Sequence, residues 1–206
     1  MKAFVLAEPG KVKWFDAPEP QLVPYGAILK PVAVTPCSSD VHTVFGGGSK
    51  KQDNLVLGHE CIAEVVSVGE NVCDFKTGDR VAVPAITPDW REKSIQEGND
   101  RHASAPFSGH QLGRTQPGVF SERFLIKDAD TTLAHIPQKI SEEQALMSVD
   151  VVTTGFTGAE YADIKIGDTV CVIGIGPIGL MAVAGAKLRG AARIIAVGTR
   201  PKCVQL

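Results

Sequence analysis

The sequence lacks the features of nucleic-acid-binding, membrane-bound and secreted proteins. Its 206 residues carry 21 basic and 23 acidic side chains, and the formal net charge of −2 gives no excess of one sign to attract nucleic acid or an anionic membrane. The N-terminal apolar run, residues 3–7, is too short for a secretory signal or a transmembrane span. We therefore expect a cytoplasmic protein that acts on a small molecule, with no nucleic-acid partner and no membrane.

Paired cysteines are also missing. The five cysteines form no CxxC motif, and an odd number without a signal sequence argues against a disulfide framework. A single cysteine is more often a small buried apolar side chain than a ligand. Of these five, only Cys37 has neighbours that favour another role.

The first 130 residues contain short β-rich runs separated by Gly and Pro, the pattern of a small barrel-like β domain. The predicted strands are residues 2–6, 27–34, 64–68, 80–84 and 120–126. Residues 84–118 have weak periodicity and predict a long surface loop.

The composition changes near Ser141, which forms a capping box with Gln144 and predicts the start of a helix. A second helix is expected over residues 151–162. A strand (169–173), a Gly-rich loop, a helix (177–189) and a strand (193–197) then form one βαβ unit. The prediction is an α/β protein with two domains, residues 1–150 and 151–206.

A candidate metal site comes from four separated residues. Catalytic zinc takes three ligands from Cys, His and carboxylates and keeps one position for water or substrate. Cys37, His59 and Asp150 could supply that set, with Glu60 as a further carboxylate. Taken singly, each has a simpler explanation: Cys37 as a core residue, His59 as a loop histidine, Asp150 as a helix cap and Glu60 as a solvated charge.

The residues around these positions resemble the zinc-dependent medium-chain alcohol dehydrogenases. Residues 58–60 with 64–69 resemble the zinc signature of that family, and residues 37–42 resemble its first ligand segment. The similarity continues in residues 78–81 and in Asp150 with 153–155, and it covers the whole chain. The sequence is most similar to the NADP-dependent secondary-alcohol dehydrogenases of bacteria and protists, which have Asp as the third zinc ligand.

This resemblance implies a GroES-like β-barrel catalytic domain followed by the first part of a Rossmann cofactor domain. It implies reversible oxidation of alcohols, chiefly secondary ones, to ketones or aldehydes at one catalytic zinc, with Ser39 and His42 carrying the proton away. Residues 84–118 lack the four cysteines of the family's structural-zinc lobe, so we expect no structural zinc. A full-length protein would be a homo-oligomer, a tetramer in the family. The implied zinc ligands are Cys37, His59 and Asp150, with Glu60 a ligand only in some states.

Two positions depart from the family pattern. Ala63 stands where most members have Gly, which adds a methyl group where the backbone packs closely. His110 stands where the secondary-alcohol subgroup tends to have a Trp that lines the substrate pocket. The substrate preference is therefore less transferable than the chemistry.

The cofactor prediction depends on a GxGxxG motif between a strand and a helix. NAD enzymes place an acidic residue at the end of the second strand for the ribose 2'-hydroxyl. This chain has a small residue, a hydroxyl and a guanidinium there, which can hold a 2'-phosphate, so we predict NADP over NAD. The expected cofactor-binding residues are Thr154, Gly174, Gly176, Pro177, Ile178, Gly179, Gly198, Thr199 and Arg200.

Two strands and one helix are only the beginning of a dinucleotide-binding domain, which has about six strands. We therefore expect these residues to be the N-terminal portion of a longer enzyme. One alternative is a catalytically inactive fragment that retains the zinc site. Another is a zinc-free relative of the quinone reductases, against which the presence of Cys37, His59 and Asp150 argues.

Overall fold

The computed structural model describes residues 1–46, 54–87, 89–98 and 109–206. They form two compact units, residues 1–146 and 147–206. The strands of the first unit are β1 Lys2–Glu8, β2 Lys11–Asp16, β3 Ala27–Thr35, β4 Leu55–Val56, β5 Glu60–Val68, β6 Arg80–Val83, β7 Phe124–Ile126 and β8 Ala134–His135. Its helices are α1 Ser38–Val44, α2 Lys93–Gln96 and α3 Ala129–Thr132, and α4 Glu142–Met147 reaches the boundary.

The first unit is built from two antiparallel sheets. One has the strand order β2-β1-β4 and the other β7-β3-β5-β6-β8. Alternate residues of the central strands point into one apolar core, as expected for sheets with one buried face. Ala63 of β5 is fully buried in this core and lies opposite Pro31 of β3, beside a shift in the strand register.

The second unit begins with a π-helical turn, Ser148–Val152, followed by α5 Thr153–Tyr161, β9 Thr169–Ile173, α6 Pro177–Leu188, β10 Arg193–Val197 and α7 Pro201–Gln205. Strands β9 and β10 are parallel, which confirms the predicted βαβ unit. Helices α5 and α6 pack closely because Gly155 has no side chain: a Cβ there would lie 2.7 Å from the Ile178 carbonyl oxygen. A small core of Ala159, Ile164 and Ala186 includes one residue of each helix.

The capping box predicted at Ser141 is confirmed. The backbone N–H of Gln144 donates to Ser141 Oγ over 3.3 Å, and the backbone N–H of Ser141 donates to Gln144 Oε1 over 3.1 Å. The two reciprocal hydrogen bonds satisfy backbone donors that the first turn of a helix leaves open. Helix α4 therefore begins where the sequence predicts.

Three predicted elements need correction. The strand predicted at 64–68 begins at Glu60, so Glu60 is a strand residue. The strand predicted at 120–126 covers only Phe124–Ile126, because Ser121 pairs separately with Ala3 in an isolated bridge. The loop predicted at 84–118 contains α2, and its residues 88 and 99–108 lie outside the described ranges. Among the described residues, no helix is long and apolar enough to cross a membrane.

Candidate metal centre

The pairing of β3 with β5 explains why Cys37 and His59 meet. Thr35, at the end of β3, lies opposite Glu60, at the start of β5. In an antiparallel pair, the residues just beyond one strand end adjoin those just before the other strand begins. Cys37 follows β3 and His59 precedes β5, so strand register alone brings together residues 22 positions apart in the chain.

Cys37, His59 and Glu60 form a compact donor set within the first unit. Each offers one ligand atom, and these atoms lie within 4.8 Å of one another. His59 and Glu60 are each only 2% exposed. His59 Nε2 lies 3.8 Å from Glu60 Oε1 and 3.3 Å from Ser39 Oγ. The three side chains therefore converge on one buried point.

Asp40, for which the sequence predicted no role, organises this centre. Its Oδ2 accepts a hydrogen bond from the Cys37 amide over 2.9 Å, and its Oδ1 accepts one from the Gly58 amide over 3.2 Å. Oδ1 also lies 3.3 Å from His59 Nδ1. With Nδ1 occupied by a carboxylate, Nε2 is the ring nitrogen left for a metal. The signal in the sequence was the Cys37-x-x-Asp40 spacing, which places a carboxylate where it can cap the start of α1.

The protonation equilibria of the centre favour a thiolate. The hydrogen bond from His59, helped by the hydroxyl and amide of Ser39, lowers the pKa of the Cys37 thiol to about 6, against the opposing effect of burial. Burial favours neutral His59, but hydrogen bonds to Asp40 and Cys37 outweigh it and raise the His59 pKa to about 10. Burial also acts to raise the pKa of Asp40, yet His59 holds it below its usual value.

Glycines keep the loop before β5 tightly packed. Gly58 has a φ of +90°, and a Cβ there would lie 2.4 Å from the Phe120 ring. A Cβ on Gly118 would lie 2.3 Å from the Gly58 carbonyl oxygen. The Gly118 amide donates to the Val56 carbonyl over 2.9 Å, and the Val119 amide to the Gly58 carbonyl over 3.0 Å. Residues 118–119 therefore fix the segment that contains His59.

Of the two predicted proton-path residues, the structure places only Ser39 at the centre. Ser39 and His42 lie three positions apart on α1, a spacing that puts them on one side of a helix. His42 is exposed, and the described contacts of Ser39 include no hydrogen bond to it. The relay remains a prediction.

Asp150 and Thr154 belong to the second unit. Asp150 lies in the π-helical turn, and its Oδ1 accepts a hydrogen bond from Thr154 Oγ1 over 2.5 Å. Its backbone carbonyl accepts a second one from Thr153 Oγ1 over 2.9 Å. The role of Asp150 as a zinc ligand and that of Thr154 in cofactor binding remain predictions.

The GxGxxG loop lies between β9 and α6, as predicted. Gly174 has a φ of +93°, and a Cβ on Gly179 would lie 1.8 Å from the Gly174 carbonyl oxygen, so both positions require glycine. Gly176 precedes the first turn of α6, which Pro177 and Ile178 begin. Such a helix start presents backbone N–H groups that can bind a phosphate.

The residues after β10 lie beside this loop. A Cβ on Gly176 would lie 3.7 Å from Arg200 Nη1, so the guanidinium lies next to the glycine-rich turn. Gly198 packs against Ile175, where a Cβ would lie 2.2 Å from Cγ1. Thr199 is exposed and leads into α7. These residues and the glycine-rich turn form one surface at the carboxyl ends of the two strands.

The first-unit donors suit zinc. A thiolate, an imidazole nitrogen and a buried carboxylate are the ligand types that zinc takes, and a carboxylate behind the histidine is its usual support. Calcium and magnesium prefer oxygen ligands throughout, which this set does not provide. The donor chemistry therefore favours zinc over these two ions.

Comparison with known proteins gives the family. The alcohol dehydrogenase GroES-like domain matches residues 24–138. The NADP-dependent isopropanol dehydrogenase of Thermoanaerobacter brockii is 55% identical over 204 residues, which cover 99% of this chain and 58% of that protein. The enzyme of the same name from Entamoeba histolytica is 47% identical over 206 residues, which cover 100% of this chain and 56% of that protein.

Solved structures agree with this assignment. The apo form of zinc dependent alcohol dehydrogenase 2 from Streptococcus pneumonia superposes with a TM-score of 0.90 at 30% identity, over 100% of this chain and 58% of that one. The chain thus spans less than two thirds of the length of these relatives. The α/β class and the GroES-like domain predicted from the sequence are confirmed. The chain belongs to the alcohol dehydrogenases with a GroES-like domain, matching the N-terminal portion of the NADP-dependent isopropanol dehydrogenases.

Proposed function

We propose that the protein is an oxidoreductase that uses one zinc ion and NADP to interconvert small alcohols, chiefly secondary ones, with ketones or aldehydes. The observation that carries the proposal is the convergence of Cys37, His59 and Glu60 on one buried point, with Asp40 behind the histidine. Relatives named as NADP-dependent isopropanol dehydrogenases support the substrate class. Asp150 is the proposed third ligand, and no structural zinc is proposed.

The residues at this centre would have separate roles. Zinc, when bound, would act as a Lewis acid that polarises the substrate oxygen. Cys37 as a thiolate and His59 through Nε2 would hold the metal, and Asp40 orients the imidazole. Ser39 Oγ, 3.3 Å from His59 Nε2, is the first group that could take up the alcohol proton. His42, exposed on the same helix, would release that proton to solvent.

The second unit would bind the cofactor as the beginning of a Rossmann domain. The start of α6 would bind the pyrophosphate, with Gly174, Gly176 and Gly179 giving the backbone room to approach. Arg200, beside Gly176, would pair with the 2'-phosphate of NADP, helped by Thr199. The division proposed is a catalytic domain, residues 1–150, and a cofactor domain from residue 151. We also propose a cytoplasmic protein that forms a homo-oligomer at full length.

One experiment separates the candidate functions. Bound zinc is counted, and oxidation of 2-propanol is followed with NADP and with NAD, for the full-length protein and for residues 1–206. The proposal expects one zinc per chain and a clear preference for NADP. Absence of zinc would favour the quinone-reductase alternative, and equal use of NAD would contradict the cofactor assignment. Zinc without activity in residues 1–206 alone would identify that stretch as an inactive portion with an intact metal centre.

A further inference from the structure

Asp150, the proposed third zinc ligand, lies in a turn that departs from regular α-helical geometry. The π-helical turn Ser148–Val152 stands between α4 and α5. Its backbone hydrogen bonds span five residues, one more than in an α-helix, and such turns occur frequently at functional sites. The orientation of the Asp150 carboxylate therefore depends on the hydrogen bonds that this side chain makes, as well as on the helix.

Two consecutive threonines of α5 hold Asp150. Thr153 Oγ1 donates a hydrogen bond to the Asp150 backbone carbonyl over 2.9 Å. Thr154 Oγ1 donates one to Asp150 Oδ1 over 2.5 Å. Carboxylates that ligate a metal are themselves hydrogen-bonded, and these outer partners fix the orientation of the ligand. Of the two threonines, Thr154 is the one whose hydroxyl holds the carboxylate.

The backbone that carries Thr154 is fixed by the next residue. Gly155 is buried, and a Cβ there would lie 2.5 Å from Met181 Cβ and 2.8 Å from the Ala182 backbone nitrogen. Helix α5 is therefore locked against α6 at this point. Thr154 itself is exposed, so its hydroxyl is not needed to fill a core. A fixed backbone with an exposed hydroxyl that donates to a carboxylate suits orientation rather than packing.

We infer that Thr154 is a positioning residue for the metal and acts through Asp150. Its hydroxyl holds Oδ1 and so keeps the carboxylate in the orientation in which it binds zinc. This role rests on the proposed function, because it takes Asp150 as a zinc ligand. It is separate from the predicted role of Thr154 in cofactor binding: a hydroxyl has one hydrogen to donate, and here Asp150 receives it.

The affinity for Co²⁺, measured by competition with a chelator and without NADP, tests this role in the full-length protein. Thr154→Val replaces the hydroxyl by a methyl group and should weaken Co²⁺ binding by about 10–100-fold, the usual cost of losing such a partner. Thr154→Ser retains the hydroxyl and should recover most of the affinity. Thr157→Val, the same change further along α5, is the matched control and should bind Co²⁺ like the unaltered protein.

A double-mutant cycle shows whether Thr154 acts through Asp150. Asp150→Ala removes the carboxylate, so adding Thr154→Val to it should cause no further loss of Co²⁺ affinity. The urea midpoint of unfolding should be the same with and without Thr154→Val, because the side chain is exposed. A purely structural threonine would instead lower the midpoint and weaken binding in both backgrounds.

The possible results distinguish this role from the proposed function. A full-length protein that binds no Co²⁺, or an Asp150→Ala variant that binds it as tightly as the unaltered protein, would contradict the proposed metal centre with Asp150 as a ligand. Binding that depends on Asp150 but is unchanged in Thr154→Val would overturn the role of Thr154 alone. The same holds if Thr154→Ser binds as weakly as Thr154→Val, or if the losses from Thr154→Val and Asp150→Ala add.

Discussion

The two units of this chain bury their sheets to very different extents. In the first, Val65, Val81 and Val83 of the central strands are fully buried. In the second, β9 and β10 pair with each other, and Ile173 is 84% exposed. Parallel strands are normally covered on both faces. The metal centre therefore lies at the ends of strands with a buried core, whereas the glycine-rich loop follows a strand of a sheet with large exposed apolar side chains.

The two sites owe their rigidity to different contacts. Cys37 and His59 are fixed by strand register and by Asp40, all inside the first unit. The loop at Gly174 is fixed locally, by its own backbone and by one hydrogen bond of 2.8 Å from its amide to the Val197 carbonyl. We expect the Cys37–His59–Glu60 cluster to tolerate changes in β9 and β10 better than the glycine-rich loop does.

The largest effect should follow from removing a zinc ligand. Cys37→Ser and His59→Ala each take one donor from the centre, so bound zinc should fall from one per chain to nearly none. The first unit should stay folded, because neither residue is part of its main apolar core. Metal content after dialysis and circular dichroism check the two statements. Cys73→Ser, at an exposed cysteine, is the control and should retain its zinc.

The next largest effect should be a difference in stability between substitutions in the two units. Leu29 is fully buried on β3. Leu29→Ala should lower the free energy of unfolding by about 2–5 kcal/mol, because the smaller side chain leaves a cavity. Ile173→Ala on β9 should cost no more than about 0.5 kcal/mol, since the side chain is already in water. Urea unfolding of both variants measures the difference. Equal losses of stability would show that the sheet of β9 and β10 is covered in solution.

A moderate effect is expected at Asp40. Asp40→Asn keeps the shape but weakens the carboxylate–imidazole contact, so zinc affinity should fall by about 10–100-fold, the usual cost of losing such a partner. Competition with a zinc chelator gives the affinity. Asp16→Asn, at an exposed carboxylate paired with Lys2, should leave zinc affinity unchanged. An unaltered zinc affinity in Asp40→Asn would show that Asp40 does not support the metal centre.

The smallest effect concerns the pH dependence of the metal-free thiol. The thiolate is the reactive form. Because the pKa of Cys37 is about 6, compared with an ordinary value of 9.0, its alkylation by iodoacetamide should rise as the pH passes 6 and level off above it. His59→Ala should shift this midpoint upward, since His59 is the main cause of the lowered pKa. Burial raises the pKa of the Cys61 thiol, and Cys61 should stay unmodified. Peptide mapping by mass spectrometry follows each cysteine.

Elements with a strong local pattern were predictable from the sequence. The strands expected at 169–173 and 193–197 have those bounds in the structure, because a continuous apolar run between glycines defines them locally. Strand β4, two residues long, was missed, since its existence depends on pairing with β1. The π-helical turn at Ser148–Val152 was missed for a similar reason, because the helix expected over 151–162 gave no sign of the wider turn that overlaps its start.

The candidate site divides in the same way. Cys37, His59 and Glu60 were identified by spacing and by neighbours that resemble a family, and the structure brings them together. Asp40 was missed because its function lies in contacts with Gly58 and His59, which are distant in sequence and meet only through the pairing of β3 with β5. The sequence singled out His110 only as a departure from the family pattern, and its contact with His59 could not be predicted because the two are 51 positions apart in the chain.

X-ray absorption at the zinc edge of the zinc-loaded protein tests the proposed metal centre most directly. We predict one zinc with a single sulfur neighbour at about 2.3 Å and nitrogen or oxygen neighbours at about 2.0–2.2 Å, the distances that Cys, His and carboxylate ligands give. Cys37→Ser should lose the sulfur neighbour together with the zinc. A zinc shell without sulfur, a shell with several sulfurs, or no bound zinc would contradict the assignment of Cys37, His59 and Glu60 as the metal centre.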